Sequence, residues 1–180
     1  MTTVSFAFYT GQGRKEPLIN KITSYFTGKF MHCEIVFVSN GKSEAAGIWQ
    51  NETAFLRPKR FGKSCWEWVD LPVSAKQREI MHHFCTLQSR RNIPFNTMGF
   101  YRSITPFPKK STGQAWYCSE MIVSCCHAAG LLLDHIASAS TPSSLHASLL
   151  DVGGYKSSAP DDLVAQRLSR RNRSSLSKWF

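Results

Sequence analysis

No apolar run in this chain of 180 residues approaches the roughly 18 that a membrane span needs, so no bilayer-crossing helix is expected. Acidic side chains are scarce: 12 Asp and Glu stand against 22 Lys and Arg, for a net charge of +10. That excess would suit an anionic surface, a membrane or nucleic acid. Yet zinc-finger spacing, an RNA-binding aromatic signature and a glycine-rich phosphate loop are all missing, so charge alone names no partner. Much of the charge gathers in QRLSRRNRSSLSKWF, Gln166 to Phe180, which reads as a polar basic tail. The opening MTTVSFAFYT has neither the basic start nor the apolar length of a secretion leader. A reducing compartment, the cytoplasm, is therefore expected. Cys33, Cys65, Cys85, Cys118, Cys125 and Cys126 are then expected as free thiols, and not as three disulfides. Neither an internal repeat nor a second domain is visible. One domain over residues 1–155 and a tail over 156–180 is the expected organisation, with 42% hydrophobic residues to build a core.

The pattern predicts an α+β fold. VSFAFYTG, from Val4, reads as a strand, and KEPLINKITSYFTG, ending at Gly28, as a helix. HCEIVFVS, from His32, reads as a strand that turns at Asn40-Gly41 into a second strand around KSEAAGIWQ; Asn-Gly between apolar runs is a strong hairpin signal. SCWEWVDLP, from Ser64, is a further strand, with Trp66 and Trp68 on one face. Ser74 to Arg91 reads as a helix with a Ser74/Gln77 capping box and a buried stripe of Ile80, Phe84 and Leu87. Asn96 to Gln114 reads as a loop. A helix over Ser119 to Ala129 follows, with Met121, Ile122, Cys125 and Ala129 inward and Gly130 as its stop, and a short helix begins near Pro142.

Cys118 stands where a helix should start. A helix N-terminus favours the thiolate, and its free N–H groups can hold an oxyanion. Cys125 and Cys126, inside the helix, lack that help and read as packing residues. A cysteine nucleophile needs a base. His82 and His83 fall mid-helix. His127 lies nine positions along the helix from Cys118, roughly 13 Å away, too far to bond the thiol. His135 and His146 carry no pattern. His32, at the start of a strand, is the base by elimination.

The third group of such a site, which orients the base, is open between two glutamates. With a plain two-residue turn, Ser39 pairs with Lys42 and Phe37 with Glu44, and His32 falls opposite Trp49. Glu34 then shares the face of His32. Glu44 reaches His32 only if the hairpin is irregular.

INKITSYFTGKFMHCEIVFVSNGKSEA together with WYCSEMIVSCCHAAGLL resembles the circularly permuted branch of the NlpC-like papain-fold cysteine hydrolases, which includes lecithin retinol acyltransferase-like proteins and poxvirus-type viral members. The likeness spans about residues 4–150, and TPSSL, from Thr141, resembles a proline-containing segment that follows the cysteine helix in this group. It implies a permuted papain-like fold: an antiparallel sheet packed against a helix with the nucleophile at its N-terminus. It implies Cys118 as nucleophile, His32 as base and Glu44, twelve positions after His32, as third polar group, and hence a non-ideal hairpin.

The expected function is a cysteine hydrolase, an amidase or peptidase working through an acyl-enzyme, with a peptide-like or acyl substrate and no cofactor. For a viral protein its place would be host cytoplasm or virion. Lipid acyl transfer on the same fold is the alternative. So is a non-enzymatic basic viral module, for which the charge and Lys109-Lys110 speak. A zinc site from His32, Cys33, His82, His83 and Cys85 matches no familiar spacing.

Overall fold

The structure, a computed structural model, describes residues 1–10, 28–39, 42–61, 65–103 and 112–158. The expected helix over 15–28, the Asn40-Gly41 turn, the Lys109-Lys110 loop and the basic tail fall outside these residues, almost wholly for the helix and from 159 on for the tail.

Six strands form an antiparallel sheet, of which β1, β2 and β5 are rich in β-branched and aromatic residues: β1 Thr2–Tyr9, β2 His32–Ser39, β3 Lys42–Gly47, β4 Phe55–Pro58, β5 Trp66–Val73 and β6 Tyr155–Ser157, in the order β4-β3-β2-β1-β5-β6. Four helices accompany it among the described residues: α1 Ala75–Arg90, α2 Thr97–Ser103, α3 Cys118–Ala128 and α4 Pro142–Asp151. The expected α+β class is thus observed. β6 pairs with β5 and carries the sheet two residues past the boundary expected at 155.

Each strand alternates between two buried faces. On one, Phe6, Phe8, Cys33, Ile35 and Phe37 pack against Met81 of α1 and Met121, Ile122 and Cys125 of α3. On the other, Val36, Ala45, Phe55, Phe61 and Trp68 form a smaller cluster, with Trp49 and Trp66 against it. Trp66 and Trp68 therefore do share a face.

The β2–β3 register is that of a plain two-residue turn: Ser39 pairs with Lys42, Phe37 with Glu44 and Ile35 with Ala46. No irregularity shifts it within the paired residues.

The Ser74 capping box forms as expected, with the Gln77 N–H donating to Ser74 Oγ at 3.1 Å and the Ser74 N–H to Gln77 Oε1 at 2.9 Å. The buried stripe of α1 differs from expectation. It is Met81, Cys85 and Gln88, while Ile80, Phe84 and Leu87 are only partly covered. The helix is rotated so that Gln88 Oε1 accepts from Trp116 Nε1 at 3.1 Å in the interior. A buried indole N–H must be satisfied, and this need outweighs a purely apolar stripe. The segment after Asn96, expected as loop, contains α2, and β4 was not anticipated. α3 places Met121, Ile122, Cys125 and Ala129 inward, and Gly130 follows at φ +72°, where a side chain would be strained.

Candidate active site

The chain leading into α3 is pinned before the helix begins. Trp116 donates its backbone N–H to Pro94 O at 3.1 Å and accepts from the Asn96 N–H at 2.7 Å. Tyr117 Oη donates to Ala137 O at 3.1 Å, and Ser119 Oγ to Ser140 O at 2.8 Å. Buried Glu120 Oε2 accepts from the Tyr117 N–H at 3.4 Å. Cys118 is the first residue of the helix, so the N–H groups of its opening turn have no intrahelical acceptor.

β2 brings three consecutive side chains to this point. Cys33 faces the helix-covered side of the sheet, and His32 and Glu34 face the aromatic side. The Cys118 thiol meets two of them, the Cys33 thiol and the His32 imidazole, both of which draw its ionisation to lower pH. His32 Nε2 in turn lies 3.0 Å from Glu34 Oε1. Cys118, His32 and Glu34 therefore form one electrostatically coupled line, with exposures of 2%, 4% and 0%.

The line is polarised. The Cys33 thiol, then the His32 imidazole, hold Cys118 well below the ordinary thiol range, against the opposing effect of burial. Burial pushes Cys33 itself far up, so it stays a neutral donor to the Cys118 thiolate. Burial would lower His32, but its hydrogen bonds to Cys118 and Glu34 raise it on balance. Burial would likewise raise Glu34, and the His32 hydrogen bond and the His32 and Lys59 charges draw it down. Each shift favours the charged form of its group, thiolate, imidazolium and carboxylate.

Aromatic packing fixes the base. The Trp49 indole stacks on the His32 ring with centroids 3.7 Å apart, and its Nε1 donates to Glu34 Oε1 at 3.1 Å. Trp66 meets His32 edge-on at 6.2 Å. Lys59, in the β4–β5 connection, forms an ion pair with the same carboxylate oxygen. Gly47 makes room: a Cβ there would lie 2.9 Å from Glu34 Cγ.

Glu44, implied as third polar group by the family resemblance, is elsewhere. Its Oε2 lies 3.3 Å from His82 Nε2, on the helix-covered side and beside an open groove of about 400 Å³. The physical reason is the plain register, which sets Glu44 opposite Phe37. Of the remaining histidines, His127 Nε2 donates to Leu132 O at 2.8 Å, and His146 packs against Phe8 and Phe30. Cys85 and Cys125 touch in the core, with sulfurs 3.8 Å apart. All six cysteines are free thiols, and no three His, Cys, Asp or Glu side chains among the described residues converge to hold a metal ion. Cys33, Trp49 and Lys59 were not anticipated as parts of the site. Trp49 had left a trace as the position opposite His32 in a regular hairpin, and Cys33 only as a member of the zinc alternative.

No protein-family model matches the chain, and no curated protein does either.

Proposed function

We propose that this protein is a cysteine hydrolase of permuted papain-like architecture, acting on peptide-like amide bonds with Cys118 as nucleophile, His32 as general base and acid, and Glu34 as the group that orients His32. The coupling of the buried Cys118 thiol to His32, whose Nε2 lies 3.0 Å from a fully buried carboxylate, carries this reading. Structural cysteines are ordinarily neutral and buried, and burial pushes Cys33, Cys125 and Cys126 up, whereas Cys118 is biased toward the thiolate.

The Cys118 thiolate adds to the substrate carbonyl carbon, and the oxygen that becomes negative is held by the Cys118 backbone N–H at the start of α3. The tetrahedral adduct collapses as the C–N bond breaks. His32 gives its proton to the departing nitrogen, leaving a thioester on Cys118. Neutral His32 then takes a proton from water, whose oxygen attacks the thioester. The acid product leaves, and thiolate and imidazolium are restored. Glu34 keeps the imidazole ring in register through both transfers. Near-complete burial of the pair strengthens each of these interactions.

The test is iodoacetamide labelling of the intact protein, followed by a screen of peptide, isopeptide and lipid ester substrates against Cys118→Ala. Selective labelling of Cys118 that is lost in His32→Ala, with amide turnover absent from Cys118→Ala, is expected. Equal labelling of all six cysteines, or turnover that survives Cys118→Ala, would remove the proposal.

A further inference from the structure

Three donors converge on Glu34 Oε1, namely His32 Nε2, Trp49 Nε1 and the Lys59 ammonium, whereas Oε2 is buried without a hydrogen-bond partner. Such a carboxylate is costly unless a charge compensates it. In the proposed cycle His32 alternates between imidazolium and imidazole, so His32 compensates it only part of the time. Lys59 is the other cation. Its ammonium lies 4.9 Å from the ring centre of Trp66, 5.0 Å from Trp49, 5.1 Å from Phe61 and 5.8 Å from Phe55. Aromatic faces attract a cation and exclude water from it. The side chain is only 20% exposed, although a lysine of no function would extend into solvent.

We propose that Lys59 is a positioning residue: boxed by four aromatic rings, it gives Glu34 a permanent counter-charge, so that His32 can release and regain its proton without leaving the buried carboxylate unpaired. This rests on the reading of Cys118, His32 and Glu34 as one site, and it adds how that site stays ionised through the cycle. The titratable groups around the pair are Tyr9 of β1, which pairs with His32 across the strands, the Cys33 thiol on β2, the Cys118 thiol on α3, and Lys59 itself. Of these groups only Lys59 forms an ion pair with Glu34.

The sign follows. With Lys59 neutralised, Glu34 can be charged only while His32 is. His32 then holds its proton to higher pH, and the step that needs neutral imidazole weakens.

The experiment is an NMR pH titration of the His32 ring in the full chain, with the resonance identified by its loss in His32→Gln. Lys59→Gln retains a hydrogen-bond donor without the charge. It and Lys59→Met should raise the His32 midpoint by about one unit, a tenfold change in proton affinity, while Lys59→Arg stays near wild type. Adding Lys59→Gln to Glu34→Gln should produce no such rise. An unchanged or lowered midpoint in either folded neutral variant overturns the proposal, as does the same rise in the Glu34→Gln background. If the neutral single variants fail to fold, a folded Glu34→Gln/Lys59→Gln double variant supports the charge requirement; an unfolded one shows that Lys59 serves packing, and overturns it. Cys118 labelling that ignores His32 would defeat the catalytic reading while leaving the titration result intact.

Discussion

Cys33 bears directly on Cys118, although no motif in the sequence marks it for that role. Its thiol is the first cause of the depressed Cys118 ionisation, ahead of His32. Replacing it with alanine removes a donor to the thiolate, so the pH midpoint of Cys118 alkylation should rise in Cys33→Ala. A midpoint that stays put would show that His32 alone activates the thiol. The two glutamates separate just as cleanly. Glu34→Gln should lower kcat by about 10²-fold or more, because the base loses its charged partner. Glu44→Gln breaks only a half-exposed contact with His82, and turnover should change by less than about twofold. Steady-state kinetics on the two variants decide between them.

The elements place these residues through register and close approach. In β3, Gly47 lies under Glu34, and a methyl group there would meet Glu34 Cγ at 2.9 Å and Phe55 Cζ at 3.2 Å. Gly47→Ala should therefore displace the carboxylate, reducing kcat and raising the Cys118 alkylation midpoint while the protein remains folded by circular dichroism. In α1 the buried line through Met81 and Cys85 carries the packing. Met81→Ala should cost about 2–5 kcal/mol in denaturant unfolding, clearly more than Leu87→Ala on the half-covered flank. The capping box of α1 and the inward face of α3 were readable from spacing alone, since both are local. The true stripe of α1 was not, because it answers to Trp116, which lies 28 positions away.

Across the whole molecule, the buried ionised line couples stability to pH. Glu34 titrates below its ordinary 4.5 in the fold, so its contribution is present above that value and drains away as pH falls through the lower, folded one. His32 runs the other way: raised above 6.5, it stabilises fully below that pH and loses its contribution as pH rises through the folded value. Thermal unfolding should thus show an acid limb that flattens in Glu34→Gln. An acid limb unchanged by that substitution would place the sensitive carboxylate elsewhere.

The α+β class, the strand bearing His32, the helix beginning beside Cys118 and the inward face of that helix were determined by the sequence, because periodicity, capping and turn chemistry act over a few residues. Even the plain hairpin register, and with it the place of Glu44, follows from a two-residue turn; the family likeness had pointed the other way. What only the tertiary structure decided is the company that β2 keeps. A thiol from α3, an indole from beyond β3 and an ammonium from beyond β4 converge on His32, Cys33 and Glu34. No local pattern encodes such a meeting, because it arises from strand order and from burial of a charge that must find its partners far along the chain.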